Sequence, residues 1–175
     1  MMAAQRRHGT RLATLLLVAG LMACRPAIPP ASGTDTRAVT TLATGTQCAP
    51  SAPAPAARWL DTPASLQSAY RDMTRHSLGA NTLPAPVPDF AAYGVLQVFM
   101  GQQPTGGYQL RLLRPNLELH ATAATVRIEW LSPPPGAILP QLVTSPCLLL
   151  AVPRGAYHTL TVTDQAGRIR ANAAL

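Results

Sequence analysis

Hydrophobic and polar positions divide the chain into three stretches. Arg6, Arg7 and Arg11 precede a 12-residue, mostly apolar run from Leu12 to Ala23. Residues 24–55 then turn to Ala, Pro, Thr, Ser and Gly without periodicity. From residue 56 onward regular spacings appear, first helical and then alternating. Asp61-Thr62-Pro63 predicts a helix start, with Thr62 as N-cap and Pro63 at the first helical position. Leu66, Ala69, Tyr70 and Met73 follow at helical spacing and form one apolar face. Arg75 and His76 suit the negative end of the helix dipole, and Gly79 suits its stop.

Beyond Leu83–Pro88, a proline-rich loop, the period becomes two. Val95–Met100 is apolar and β-prone. Tyr108, Leu110 and Leu112 alternate with Gln109 and Arg111. Leu117, Leu119 and Ala121 alternate with Glu118 and His120, and Val126, Ile128 and Trp130 with Arg127 and Glu129. Cys147–Val152 is continuously apolar after Pro146, the mark of a central strand covered on both faces. His158–Thr163 predicts another strand. Asp164-Gln165-Ala166-Gly167 predicts a hairpin turn leading into Arg168-Ile169-Arg170. The expected fold is α+β. One N-terminal helix packs on a mostly antiparallel sandwich or partly open barrel of six to seven strands, joined mainly by sequential hairpins.

The expected organisation is a signal segment over 1–23, a tether over 24–55 and a domain over 56–175. Part of the tether, around Val39–Leu42 and Cys48, is a candidate for packing on the domain edge. A basic start, a short apolar run and small residues before a cysteine make an export signal. Twelve residues are too few to span a bilayer, which takes about 20. Leu21-Met22-Ala23-Cys24 resembles the lipobox of bacterial lipoproteins. That resemblance implies cleavage before Cys24 and acylation of Cys24, with the lipid membrane as first partner; the alternative is a simple cleaved signal. Arg25 is not the Asp associated with inner-membrane retention, so the resemblance leans to the periplasmic face of the outer membrane.

Net charge is +7, and loss of Arg6, Arg7 and Arg11 would leave +4. The remaining arginines are scattered, without the patch or stripe a nucleic-acid surface needs. Of the three cysteines, lipidation would consume Cys24. Export to an oxidising compartment favours a Cys48–Cys147 disulfide over two buried thiols. No Cys/His pair has metal-ligand spacing, and neither metal nor cofactor is expected. His76, His120 and His158 have local explanations, Asp61, Asp72, Asp89 and Asp164 read as caps or turn residues, and no serine sits in a nucleophile elbow. No catalytic residue is assigned.

The motif that stands out is Gly101-Gln102-Gln103-Pro104-Thr105-Gly106-Gly107-Tyr108, set between two strands. Pro104 fixes its own φ and biases Gln103 to be extended. Gly106 and Gly107 permit positive φ and close approach of another backbone. The bland reading is a hairpin that needs glycines to turn. With Pro88-Asp89-Phe90, Pro133-Pro134-Pro135-Gly136 and Thr144-Ser145-Pro146, in that order, the motif resembles the PrcB C-terminal domain family over roughly residues 58–170. Cys147 stands where a tyrosine is expected in that family.

The resemblance implies a non-enzymatic, exported domain that binds or assists an envelope peptidase. Its contact loop would be Pro104, Thr105, Gly106, Gly107 and Tyr108. The loop also resembles that of chagasin-type cysteine-peptidase inhibitors, with Gln103 and Gly106 as departures. A peptidase inhibitor and a structural envelope lipoprotein without a peptidase partner are therefore the alternatives.

Overall fold

A computed structural model describes residues 38–48, 53–75 and 84–175. The signal segment, Cys24, His76 and Gly79 lie outside the described residues. Within them are nine strands and one helix. The strands are β1 (Thr40–Gly45), β2 (Ala56–Leu60), β3 (Tyr93–Phe99), β4 (Gln109–Leu112), β5 (Glu118–His120), β6 (Ala123–Leu131), β7 (Cys147–Pro153), β8 (Thr159–Thr163) and β9 (Ile169–Ala174), and the helix α1 is Pro63–Thr74.

The helix begins where its cap residues require. Thr62 is extended, and its Oγ1 accepts from Ser65 N at 3.1 Å while Ser65 Oγ lies 3.3 Å from Thr62 N, a reciprocal capping box. Leu66, Ala69 and Met73 are buried and Tyr70 is partly buried, so the predicted apolar face is the packed face.

The strands form two sheets, and the fold is mostly β without being a closed barrel. The first sheet has the order β1-β7-β3-β2, all antiparallel. The second has the order β4-β6-β8-β9, with β5 continuing beside β6. Leu96 and Val98 of β3 and Leu148, Leu150 and Val152 of β7 face Val126, Ile128, Leu160 and Val162 of the second sheet. The alternate residues Val95, Phe99, Cys147 and Leu149 pack against Leu66, Ala69 and Met73 of α1. The first sheet is thus the middle of three layers. That is why β7 is apolar at every position and β6, covered on one face, is apolar at every second one. At one side of the sandwich β2 runs against β9.

Three expectations need correction. The described residues carry more strands than six or seven, chiefly because β1 and β2 precede the helix. Thr40–Gly45 is β1 and pairs with β7, in keeping with the expectation that the stretch around Val39–Leu42 and Cys48 packs on the domain edge; its small and β-branched residues suit a strand. Sequential hairpins do not dominate. The chain crosses from β6 to β7 in the other sheet and returns, so β8 lies parallel to β6. The alternation over Leu117–Ala121 does not mark a buried face. Leu119 is exposed, because β5 is a three-residue strand at a sheet edge with no layer over it.

Candidate functional site

The disulfide sets the frame of the site. Cys48 and Cys147 are bonded across 99 residues, with Cα atoms 5.8 Å apart, and both are buried. The bond fixes the turn after β1 to the first residue of β7. Beside it, Ser145 N donates to Thr46 O at 2.8 Å and Cys48 N to Ser145 O at 3.0 Å. The entrance to β7 is therefore held from two directions.

The Gly101–Tyr108 loop is built against this entrance. Gly101 has φ +85°, and a Cβ there would lie 2.8 Å from the Pro53 carbonyl oxygen, so the motif opens where only glycine fits. Gln103 N donates to Thr144 O at 2.8 Å and Thr144 N to Gln103 O at 2.9 Å. Thr144 Oγ1 donates to Thr105 O at 2.8 Å. Gly106 N reaches Pro140 O at 3.3 Å. Gly107 has φ +86°, with Pro133 Cβ 3.1 Å and Leu139 Cδ2 3.2 Å from where a Cβ would stand. Thr144, one residue of a second motif, is the hub that ties the loop to the segment between β6 and β7.

Of the candidate contact residues, Pro104 and Gly107 are exposed, Thr105, Gly106 and Tyr108 half-buried. Tyr108 packs its ring on the inter-sheet core just before β4. The loop does not stand alone, because the 132–143 segment shares its surface. Ile138 is fully exposed, and Leu142 and Val143 are exposed at 46% and 60%. Gln47 Nε2 donates to Val143 O at 3.0 Å, which ties this end of the segment to the turn after β1. These apolar residues were not singled out in the sequence. Three large apolar side chains in a proline-rich connection between strands were the available signal, since a connection that joins no ladder has no layer to bury them.

The other chemistry-bearing residues have structural partners. Burial works to raise the Asp164 carboxyl, but the Arg168 and Ala166 amides and the Arg168 and Arg170 guanidiniums outweigh it and hold the group at about 2. Asp164 thus organises the β8–β9 turn, where Gly167 has φ +79°. Burial pushes the Tyr157 hydroxyl up to about 12, and that hydroxyl donates to Pro153 O. Glu118, paired with Arg127 at 2.6 Å, has its carboxyl lowered by that contact. His120 and His158 are both exposed. Among the described residues no three His, Cys, Asp or Glu side chains gather as metal ligands would.

Two open clefts border β1. One, of about 460 Å³, lies toward β4 and is lined by Thr44, Thr46, Tyr108, Gln109 and Arg111. The other, of about 290 Å³, lies between Leu42 and the Pro86–Asp89 stretch.

Residues 95–153 match the family model described as PrcB C-terminal. The matched stretch runs from β3 through β7 and contains both the Gly101–Tyr108 loop and the 132–143 segment, though it is narrower than the 58–170 expected. No curated protein and no solved structure matches the chain.

Proposed function

From the match of residues 95–153 to the PrcB C-terminal family model, we propose that this chain is a non-catalytic protein-binding module, lipid-anchored through Cys24 at the periplasmic face of the outer membrane. Its partner is an envelope peptidase, which it binds or assists. The observation that carries the reading is the joint surface of the two loops. Pro104 and Gly107 stand beside a segment that leaves Ile138, Leu142 and Val143 in solvent. Thr144 holds the two loops in one geometry by three hydrogen bonds. Exposed apolar groups on a preorganised frame are what a contact surface needs, because little ordering entropy remains to be lost on association.

Gln103, Thr105 and Gly106 are bonded back to Thr144 and Pro140, which holds the loop in one conformation.

The test is a crosslinked capture from detergent-solubilised envelopes with the full chain, Tyr108→Ala and Ile138→Asp, read by mass spectrometry. A peptidase captured by the wild type and lost with Ile138→Asp, whose fold is checked by circular dichroism, is the expected result. Equal capture by all three proteins would remove the surface from the mechanism. The anchor is tested separately. Labelled palmitate should enter the wild type and not Cys24→Ala.

A further inference from the structure

The sandwich is closed along one side, where β2 and β9 lie against each other, and open along the other. At the open side β1 is the end strand of its sheet. Among the described residues, the main chain of Thr40–Gly45 pairs with β7 alone. Beyond one end of the strand Val39 N donates to Pro115 O, and beyond the other Thr46 O accepts from Ser145 N on the β7 side. An edge of this kind presents unused donors and acceptors, here with one irregularity between Thr41 and Ala43.

What distinguishes this edge is that a cleft opens on each side of it. The larger, toward the second sheet, meets the Thr44–Thr46 end and carries Tyr108, Gln109 and the cation of Arg111. The smaller, on the helix-covered side, meets the Thr40–Leu42 end and is walled by Tyr93, Pro86, Val87 and Pro88. Side chains of an added strand would point alternately to the two faces of the sheet. We propose that the free edge of β1 takes an extended segment of a protein partner by strand addition, with alternate side chains entering the two clefts. This rests on the protein-binding reading above and adds a second part to its contact.

The clefts define the segment's chemistry. The proline-walled cleft selects an apolar side chain. The Arg111 cleft selects an acidic or hydrogen-bonding one, since Arg111 is two-thirds exposed and only 3.7 Å-paired with Glu129. A second copy of this chain fits less well. β1 pairing with β1 would offer threonines, Leu42, an alanine and a glycine, with no acidic side chain for Arg111. Main-chain hydrogen bonds would supply affinity and the clefts specificity, the division of labour of strand addition generally.

The test uses a displayed library of random linear dodecapeptides selected on the purified full chain, followed by amide hydrogen exchange of the complexes. The expected peptides carry an apolar residue toward one end and an acidic residue on the opposite face toward the other, and slow exchange at Thr40–Gly45. Methylation of alternate peptide nitrogens, or Arg111→Glu, should weaken them tenfold or more. Peptides that protect only 102–108 and 138–143 would overturn the strand-addition site and leave the loop surface standing. Failure to select any peptide would overturn it too, while the Ile138→Asp capture still decides the broader reading independently. Slowed β1 amides that depend on protein concentration without peptide would assign the edge to a second copy and overturn the proposal.

Discussion

The strand Cys147–Pro153 and the segment that leads into it, 132–143, are neighbours in the chain and opposites in space. Both are rich in apolar residues. Every residue of β7 is buried, whereas Ile138, Leu142 and Val143 stand in solvent. Proline accounts for the difference. Pro133, Pro134, Pro135 and Pro140 lack the amide that a ladder requires, so the segment cannot join either sheet. Pro146 stands at the entry to β7, where a missing donor is tolerated, and β7 pairs on both sides with β1 and β3. Hydrophobicity alone therefore does not decide burial. Access to a partner strand does, and apolar residues denied it become surface.

The comparison predicts unequal responses to truncation. Leu150→Ala should have the largest effect. Its side chain is fully buried in the inter-sheet core, and deletion leaves a cavity that rigid sheets on both sides cannot collapse. The expected loss is about 2–5 kcal/mol in denaturant unfolding. A loss below about 1 kcal/mol would mean that β7 is not the centre of the domain.

Next is the disulfide. Replacing both Cys48 and Cys147 by Ala frees the turn after β1 from the start of β7, with 99 residues between the two positions. The expected cost is about 2–4 kcal/mol, most of it through the entropy regained by the unfolded chain. Thermal melts of the double variant and of the reduced wild type should agree. A reduced wild type as stable as the oxidised protein would show that β1 is held by its ladder alone.

Asp164 gives a smaller, pH-defined effect. Its folded value of about 2 lies below the ordinary 3.8. A carboxyl depressed in the folded state stabilises above its unfolded value and loses that contribution as the pH falls through the folded one. Stability should therefore decline between about pH 4 and pH 2. Asp164→Asn should start lower at neutral pH and lack this part of the decline. Parallel acid titrations of unfolding free energy would reveal it. Superimposable slopes would remove Asp164 from the acid response.

Much of this was legible before the fold was known. The helix was readable because Thr62, Pro63 and the 66-69-70-73 face are local signals. So were β6 by strict alternation and β7 by its unbroken apolar run. The disulfide was expected from the export-signal pattern and the cysteine count, and Cys48 and Cys147 are bonded. What escaped was non-local. Nothing within Thr40–Gly45 says that β7 lies beside it, and pairing partners far apart in sequence leave no period to read. The parallel β6–β8 pair escaped for the same reason. Leu119 was misread because alternation specifies two faces without saying whether either is covered. At the candidate site the Gly101–Tyr108 motif was visible as a turn that needs glycine. Its attachment to Thr144, and the shared surface with Ile138, required the topology.

The weakest expected effect sharpens the comparison most. Ile138→Ser removes as many apolar atoms as a core truncation, yet the side chain has no layer against it. Unfolding free energy should change by no more than about 0.5 kcal/mol, as for a surface position without structural partners. Partner capture, in contrast, should fall. If Ile138→Ser instead destabilised the domain as Leu150→Ala does, the 132–143 segment would be core and not contact surface. The proline argument would then fail with it, because prolines would no longer be what keeps those side chains outside.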